Sequence, residues 1–232
     1  MTDTSDKTSG NVSVAVIARN EAQTIEEVVR AVLPLADETL VIDGHSTDST
    51  REISESLGAK VFLDEGHGKG DGIRKAIEAA TGDVLVFIDA DCSHDPADIP
   101  AMVAPILAGE AELVVGSRWT GGSDELFGDL GKFIRSTGSS IITLAIDYRW
   151  RVKLTDSQNG FRAVATRAAR AITLEEDIFT IEQEMIMKML KAGFRVSEVP
   201  THEYRRKEGD SQIVVWRVWY KYVWCLLRNL IK

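Results

Sequence analysis

The sequence of 232 residues contains few residues of the kinds that build disulfide or zinc scaffolds. Its two cysteines, Cys92 and Cys225, lie far apart and lack the spacing of metal ligands, which fits a reducing compartment. The four histidines are scattered and match no zinc spacing. No Gly-x-Ser-x-Gly motif is present, which argues against a serine hydrolase built on that motif.

The chain also lacks a basic excess, a long apolar run and an internal linker. Its 36 acidic and 27 basic side chains give a net charge of −9, which argues against general nucleic-acid binding because Lys and Arg supply most of the affinity for duplexes. No stretch of about eighteen uncharged apolar residues occurs, so no helix is expected to span a bilayer. With 44% hydrophobic residues and no Pro-, Ser- or Gly-rich divider, the chain is expected to form a folded domain with a sizeable core.

The first half of the chain alternates strands and helices after a polar lead-in over residues 1–11, which is predicted to be disordered and lacks the apolar region of a targeting peptide. The predicted strands are 12–18, 39–43, 59–63, 83–89 and 113–116. The first helix is expected to begin at Asn20, with Gln23 as its capping partner. This alternation predicts a mostly parallel sheet whose ligands bind beyond the carboxyl ends of the strands.

The second half is less regular. Helices are predicted over residues 133–146 and 183–192, and one more strand over 194–199. The glycine-rich stretch 121–131 is predicted to be a mobile loop.

The sharpest chemical signal is Asp89-Ala90-Asp91, which ends the most apolar predicted strand. Side chains two positions apart in an extended segment point the same way, and two such carboxylates repel each other unless a cation lies between them. Hard oxygen ligands favour Mg²⁺ or Mn²⁺, which commonly bridge to a phosphate of the substrate. The alternative is that one Asp caps the next helix and the other is solvated.

Two other polar segments follow predicted strands. Asp43 ends the second strand, where its carboxylate could accept hydrogen bonds from a nucleobase or ribose or could serve as a turn residue. The flexible stretch Gly66-His67-Gly68-Lys69-Gly70 could bring backbone close to a diphosphate, but it matches neither the Walker nor the Gly-x-Gly-x-x-Gly pattern.

The last twenty residues, 213–232, form a helical pattern with one basic stripe. At about 100° per residue, its basic side chains fall within an arc of roughly 60°. They are Arg217, Lys221, Arg228 and Lys232. The rest of the helix surface is mostly aromatic and aliphatic, a pattern typical of a helix that lies on a membrane surface. The alternatives are a buried terminal helix or an interface in a homo-oligomer.

The order of short motifs along the chain is then informative. They are residues 16–21 (Val-Ile-Ala-Arg-Asn-Glu), 41–48 (Val-Ile-Asp-Gly-His-Ser-Thr-Asp), 89–91 (Asp-Ala-Asp), 94–96 (His-Asp-Pro), 116–118 (Gly-Ser-Arg), Arg135 with Ser139, 156–162 (Asp-Ser-Gln-Asn-Gly-Phe-Arg) and 198–200 (Glu-Val-Pro). Together they resemble the family 2 inverting glycosyltransferases with the GT-A fold, and within them the dolichyl-phosphate mannose and glucose synthases. The resemblance implies a Rossmann-like α/β domain over residues 12–212, followed by the amphipathic helix 213–232.

The resemblance also implies an activity and a set of site residues. Enzymes of this kind move a hexose from a nucleotide sugar, UDP-glucose or GDP-mannose, to a polyprenyl phosphate at the cytoplasmic face of a membrane. Asp89 and Asp91 would hold Mg²⁺ or Mn²⁺, and Arg118, Arg135 and Ser139 would hold the acceptor phosphate and act as catalytic residues with the two aspartates. The nucleotide and donor sugar would contact Ala18, Asn20, Glu21, Asp43, Lys69, Asp89, Ala90, Asp91, Gln158 and Arg206.

The sequence departs from the mannose synthases at two positions. Ser93 stands where those enzymes often carry a metal-linked Gln, which leaves the third metal ligand to water, and Gln212 replaces the usual Lys. The segment Gly68-Lys69-Gly70 is closer to the glucose synthases, so the donor stays open.

The expected reaction is a direct, in-line, inverting displacement. A phosphate monoester is largely dianionic at pH 7 and needs no general base, so positioning by arginines is the main requirement. Glu182 and Glu184 are expected to contact the sugar or the metal shell, or to be surface carboxylates, and loop 121–131 is expected to close over the bound donor. Two other hypotheses are transfer to a polysaccharide or other hydroxyl acceptor, and a non-catalytic, membrane-docked nucleotide-binding protein.

Overall fold

The computed structural model of the chain describes residues 10–126, 130–207 and 215–231. Most of the predicted lead-in, the centre of the predicted loop 121–131, and Gln212 lie outside these residues. The strands are β1 (Val12–Ala18), β2 (Glu38–Asp43), β3 (Lys60–Leu63), β4 (Val84–Asp89), β5 (Leu113–Ser117), β6 (Arg162–Ala165) and β7 (Val196–Pro200). The helices are α1 (Ile25–Val32), α2 (Thr50–Ser56), α3 (Lys69–Ala79), α4 (Ile99–Leu107), α5 (Arg118–Gly121), α6 (Leu130–Trp150), α7 (Thr166–Arg170), α8 (Ile181–Lys191) and α9 (Val215–Ile231).

In the described part of the chain, seven strands form one sheet in the order β3-β2-β1-β4-β6-β5-β7. The neighbours β1–β2, β2–β3, β1–β4 and β5–β7 are parallel, which confirms the predicted mostly parallel sheet flanked by helices. The exception is β6, which runs antiparallel between β4 and β5. The sequence pattern did not predict this strand, because the four residues Arg-Ala-Val-Ala are too short a run to carry a strand signal.

The register of the parallel strands brings their polar ends to one edge. Ala18 lies opposite Asp43, and Ile17 lies opposite Asp89 on the other side of β1. β1 and β4 are the inner strands of the parallel part and their apolar runs are buried on both faces, as expected of a sheet covered by helices. The carboxyl edge of β1, β2 and β4 is therefore where ligand-binding side chains collect.

The start of the first helix differs from the prediction. α1 begins at Ile25 after Thr24, and Asn20 instead adopts a left-handed backbone with a φ of 58°. The Asn20 side chain accepts a hydrogen bond from the Thr47 amide at 2.8 Å, which ties the β1 end to the loop after β2. Asn tolerates this backbone conformation. Asn20 therefore lies in the turn after β1, where it holds the loop after β2, and is not a helix cap.

The two long helices of the second half, α6 and α9, pack against each other and against α8. Cys225 and Leu226 of α9 are buried in this contact, whereas Trp219, Trp224 and Leu227 are exposed. Among the described residues, no helix is both long enough and apolar enough to cross a bilayer. Of the basic stripe predicted for α9, Lys221 is exposed and Arg228 pairs with Glu175, whereas the Arg217 side chain and Lys232 lie outside the described part of the chain.

Candidate active site

A cavity of about 250 Å³ lies at the carboxyl edge of β1, β2 and β4. Its walls come from the ends of these strands, the turn before α3, the turn before α8 and the segment after β7. The lining residues include Ala18, Glu21, Gly44, Gly68, Lys69, Asp89, Ala90, Asp91, Phe179 and Arg206. Seven of the ten residues predicted to bind nucleotide or sugar line this cavity although they come from distant parts of the chain; Asn20, Asp43 and Gln158 do not line it.

Lys69 is the central cation of this cavity. Its ammonium nitrogen lies 2.8 Å from Asp89 Oδ1 and 3.2 Å from Glu182 Oε1, and it also faces the Phe179 ring. Burial alone lowers the pKa of Lys69, but the two carboxylates outweigh burial and hold the pKa above its usual range. For Asp89 the effects are reversed: burial by itself would raise its pKa, but Lys69 outweighs burial and holds the pKa below its usual range. The pair is therefore charged within the site.

Gly160 makes this arrangement sterically feasible. A Cβ atom at position 160 would lie 2.6 Å from Lys69 Nζ and 3.1 Å from Asp89 Oδ2. Any larger residue would push the Lys69 ammonium away from Asp89, so the glycine of the 156–162 motif is needed for close approach to this pair.

Arg206 performs the same task for the second aspartate. Its guanidinium lies 3.1 Å from Asp91 Oδ2, while Asp91 Oδ1 accepts a hydrogen bond from the Ser93 amide at 3.0 Å. The segment that follows β7 reaches this place because its backbone continues to pair with the β4 loop, with the Tyr204 amide donating to the Ser93 carbonyl. Each aspartate of the pair is therefore neutralised by its own cation.

The side-chain oxygens at this edge of the sheet are suitable ligands for a divalent metal ion. Asp89 and Asp91 both line the cavity and offer the hard carboxylate oxygens that Mg²⁺ and Mn²⁺ prefer. No third Asp, Glu, His or Cys among the described residues joins them in a close group. A separate close group, formed by Glu65, His67 and Asp71, lies in the turn before α3. There, Asp71 already accepts the Glu65 amide.

The first two motifs form a hydrogen-bonded frame next to the cavity. Asp43 is fully buried, and its Oδ2 accepts the Ser46 amide at 3.0 Å. Its Oδ1 has no hydrogen-bond partner among the described residues, so one carboxylate oxygen keeps its accepting capacity. Glu21 lies in the cavity wall near Asp91 and Arg206, and burial raises its pKa. Asn20 contributes to the frame through Thr47 and does not line the cavity.

The predicted acceptor arginine Arg118 is already engaged. Its Nε and Nη2 donate to the two carboxylate oxygens of Asp156 at 2.6 and 3.0 Å, and its Nη1 donates to Glu203 at 3.1 Å. All three guanidinium nitrogens thus contact carboxylates. Burial alone lowers the pKa of Arg118, but the two carboxylates raise it. Arg118 thus joins the 156–162 motif to the start of α5, and its predicted contact with an acceptor phosphate stays a prediction.

Gln158 lies in the same motif but outside the cavity lining. Its Nε2 donates to Gln183 Oε1 at 3.0 Å, and its Oε1 is buried without a hydrogen-bond partner in the described part of the chain. The motif is closed by Arg162, a buried guanidinium that donates to the backbone carbonyls of Ser157, Asn159 and Glu182. Burial lowers the pKa of Arg162 to about 10, and its role is to join the motif to the start of α8.

Arg135 and Ser139 lie one turn apart on α6. The Arg135 side chain is half-buried and forms no ion pair or hydrogen bond with a described residue, and Ser139 Oγ is buried without a partner there. Their hydrogen-bond donors are therefore not taken by other described protein groups, whereas those of Arg118 are.

The structure distinguishes the two glutamates that the sequence left open. Glu182 faces the site, where Oε1 contacts Lys69 and Oε2 has no hydrogen-bond partner among the described residues; burial raises its pKa. Glu184 points to the other side of α8, where it accepts the Glu175 and Glu176 amides at 2.9 and 2.8 Å. Glu184 is therefore a structural residue of the turn before α8.

Sequence reasoning missed three side chains that shape the site. Phe179 covers Lys69, and Glu203 pairs with Arg118 from the segment after β7. Asp156 was part of a quoted motif, but nothing in the pattern indicated that Arg118 is its partner. These contacts join residues 38 to 110 positions apart, so only the folded chain reveals them.

The comparisons with known proteins agree on the family. The model of Glycosyl transferase family 2 matches residues 13–173. Glycosyltransferase AglJ of Haloferax volcanii is 34% identical over 197 residues, which is 83% of this chain and 62% of that protein. Undecaprenyl-phosphate 4-deoxy-4-formamido-L-arabinose transferase of Salmonella choleraesuis is 28% identical over 233 residues, 93% of this chain and 67% of that protein. The chain spans only 62% and 34% of the length of the first two curated relatives, AglJ and AglD.

The solved structures agree on the fold. Glucosyl-3-phosphoglycerate synthase from Mycobacterium tuberculosis, in complex with Mn²⁺, UDP and glucosyl-3-phosphoglycerate, has a TM-score of 0.75 at 24% identity, over 97% of this chain and 81% of that one. Its complex with Mg²⁺ and UDP gives a TM-score of 0.77. The arrangement of the sheet is thus the GT-A fold predicted from the motifs. With its paired aspartates at the strand edge and the family match over most of its length, the chain belongs to Glycosyl transferase family 2.

Proposed function

We propose that the protein transfers a hexose from a nucleotide diphosphate sugar to a polyprenyl phosphate, with inversion, at the surface of a membrane. UDP-glucose and GDP-mannose are the donors to test first. The acceptor class is that in the name of the Salmonella relative, an undecaprenyl-phosphate transferase. The donor would bind in the cavity at the carboxyl edge of the sheet and the acceptor on the side of α6 and α9.

On the donor side, the chain supplies cations and carboxylates for a diphosphate. Asp89 and Asp91 would hold Mg²⁺ or Mn²⁺, which when bound neutralises the charge that develops on the leaving diphosphate. Lys69 and Arg206 lie beside these aspartates. There they would also donate hydrogen bonds to the phosphate oxygens and offset their negative charge. Asp43 keeps a free carboxylate oxygen for the nucleoside, and Glu182 a free oxygen for a sugar hydroxyl.

On the acceptor side, no group is needed to remove a proton. The phosphate monoester is already anionic at neutral pH, so it can attack the sugar carbon directly once it is positioned in line with the leaving group. Arg135 offers a planar, permanently charged donor without a partner among the described residues, which suits this task. Arg118 acts behind it by holding the 156–162 motif.

Association with a membrane is supported by the surface of both long helices. On α6, five exposed apolar residues fall within an arc of roughly 100°. They are Phe133, Ile134, Ile141, Leu144 and Tyr148. α9 adds exposed Trp219 and Trp224, so both of these packed helices expose apolar side chains, with aromatic rings of the kind favoured at the lipid–water boundary. We call these exposed residues of α6 and α9 the apolar face. A peripheral position at the cytoplasmic side is the corresponding proposal.

One observation connects this face to the chemistry and carries the proposal. Glu182, which contacts Lys69 in the cavity, is followed by Gln183, whose Nε2 donates to the Tyr222 carbonyl of α9 at 2.8 Å. The helix that bears half of the apolar face is therefore attached to the reaction centre by adjacent residues of α8. In this proposal the lipid chain lies along α6 and α9, with its phosphate on the side of α8.

The direct test is an assay with purified protein, Mg²⁺ or Mn²⁺, a panel of UDP- and GDP-sugars and a short polyprenyl phosphate in detergent or vesicles. We expect one sugar to be transferred to the lipid phosphate with inversion at the anomeric carbon, read by mass spectrometry and NMR. The uncharged polyprenol serves as the matched control acceptor and should receive no sugar. Transfer to polyprenol, or none to the phosphate with any donor, would contradict the proposal.

A second candidate is transfer to a hydroxyl acceptor such as a glycan. It is favoured by one observation, the buried Glu182 carboxylate with a raised pKa and an unpartnered oxygen, because an alcohol needs a general base. The same assay with oligosaccharide acceptors separates the two candidates. Transfer to a sugar hydroxyl that is lost in Glu182→Gln would support this second function.

A further inference from the structure

One wall of the donor cavity is a segment without regular structure. Residues 173–177 belong to no helix or strand, and Ile178 and Phe179, which follow them, line the cavity. The Phe179 ring faces the Lys69 ammonium at 5.6 Å. We call residues 175–180 the donor wall, and its position limits where the Lys69 side chain can lie.

The donor wall is held by side chains from two helices. From α8, Glu184 Oε2 accepts the amides of Glu175 and Glu176. From α3, the Arg74 guanidinium donates to the Glu176 carbonyl at 2.7 Å and to Asp177 Oδ1 at 2.5 Å. Backbone groups of an irregular segment are not paired by a strand ladder or a helical turn, so side chains take that place. Arg74 thereby ties the wall to a helix that lies about 100 positions earlier in the chain.

The contact between α3 and the donor wall lies directly beside Lys69. The Gly70 amide donates to the Asp177 carbonyl at 2.8 Å. A Cβ atom at position 70 would lie 2.1 Å from the Glu176 carbonyl oxygen, so the glycine allows this close approach. Arg74 binds the same two residues about one helical turn further along α3. The backbone that carries Lys69 and the wall that covers its side chain are therefore fixed against each other.

Lys69 depends on such support because its side chain is long and flexible. An ammonium on a four-carbon stem takes its direction from its surroundings, which here are Asp89, Glu182 and Phe179. Phe179 belongs to the donor wall and Glu182 follows it on α8, so two of these three contacts move with the wall. Arg74 is partly exposed and does not line the cavity, so any effect on a bound donor passes through other residues.

We propose that Arg74 is a positioning residue for the nucleotide sugar. By holding the donor wall against α3, it keeps the Lys69 ammonium where the diphosphate of the donor would bind. This inference rests on the proposed function and deepens it, because it assigns a role in donor binding to a side chain outside the cavity.

The test is Arg74→Ala, which removes both contacts with the donor wall. We expect the Kd for UDP or GDP with Mn²⁺, measured by calorimetry, to rise about tenfold, the effect of losing hydrogen bonds to a charged group. Arg74→Lys should lose less, since it keeps the charge but not the planar set of donors. Lys75→Ala is the matched control, because it removes a basic charge from the next position of α3, where Lys75 pairs with Glu78 at the surface. The control should bind nucleotide like the unaltered protein, and the KM for polyprenyl phosphate should stay unchanged in all three variants.

A double-mutant cycle with Lys69→Met shows whether Arg74 acts through Lys69. Once Lys69 is replaced, Arg74→Ala should weaken nucleotide binding by less than about twofold, because a residue that acts through another has no separate effect. Losses that multiply, or an unchanged Kd in Arg74→Ala, would overturn the inference.

The outcome for the proposed function is separate, because the cycle is read from nucleotide binding alone. A protein that binds nucleotide but transfers no sugar to polyprenyl phosphate would contradict the proposed acceptor, and the cycle would still decide the role of Arg74. Absence of nucleotide binding by the unaltered protein would overturn both the proposed donor and this inference.

Discussion

The two sides of the reaction centre are built on different principles. On the donor side, buried charges pair with one another, Lys69 with Asp89 and Glu182, and Arg206 with Asp91. On the acceptor side, Arg135 has no charged partner among the described residues, and the adjoining surface of α6 and α9 is apolar and exposed. The donor side is thus complete within the chain and suited to a compact, charged ligand from water. Under the proposed function, the acceptor side would be completed by a ligand that is charged at one end and apolar along its length.

The largest effect on activity is expected at the paired aspartates of the donor side. Asp89→Asn and Asp91→Asn each remove one carboxylate charge from the donor side, and we expect sugar transfer to fall about 100-fold or more because an electrostatic stabiliser of the leaving group is lost. Asp95→Asn is the control, since Asp95 is exposed and only caps the turn before α4, a role that Asn fills equally well. Binding of UDP and GDP with Mg²⁺, measured by calorimetry, should weaken in the first two variants. Normal transfer by both would contradict the proposed role of the pair.

The two halves of the sheet differ in chemistry, but we expect one buried carboxylate in each half to stabilise the fold to a similar extent. Glu38 links β2 to Ser13, Thr81 and Lys60; burial alone raises its pKa, but these partners lower it to about 2. Glu112 links β5 to Arg195, whose hydrogen bonds lower the Glu112 pKa to about 2. Both values lie below the unfolded value of 4.5, so each carboxylate stabilises the fold fully above about pH 4.5 and loses this effect as the pH falls towards 2.

We therefore expect Glu38→Gln and Glu112→Gln each to lower the free energy of unfolding by about 2 kcal/mol at pH 7, and by much less at pH 3. Urea denaturation at the two pH values measures this difference. Glu78→Gln is the control, because its pair with Lys75 lies on the exposed surface of α3 and contributes little. An equal loss at both pH values would show that packing, and not the charge of the carboxylate, is responsible.

The smallest expected effect concerns the apolar face. Leu144→Gln combined with Trp224→Gln removes one large apolar side chain from each helix, and both side chains are about two-thirds exposed, at 68% and 65%. Partial burial of such side chains in lipid predicts a loss of vesicle binding of about tenfold or more. Leu63→Gln, on the exposed edge strand β3, is the matched control, and we expect it to bind vesicles with unchanged affinity. Equal vesicle binding by the double variant and the control would contradict membrane association through the apolar face.

The periodic part of the fold could be predicted because local patterns determine it. β1 covers the predicted residues Val12–Ala18, and β2, β3, β4 and β5 lie within one residue of their predicted ends, since each is an apolar run between polar turns. β6 could not be predicted in this way. It is buried because β4 and β5 flank it, and its Arg162 is satisfied by carbonyls that the fold supplies.

For the site, the sequence by itself determined which residue types meet at the carboxyl edge. Parallel strands of defined length must end together, so Ala18, Asp43 and Asp89 converge whatever the loops do. Only the tertiary structure decided which partner each charge has. Arg118 contacts Asp156, Glu182 faces Lys69 while Glu184 faces the turn before α8, and Tyr222 lies beside α8. Pairing between charged groups depends on distances across the fold, and these arise from packing between helices and loops that no local pattern records.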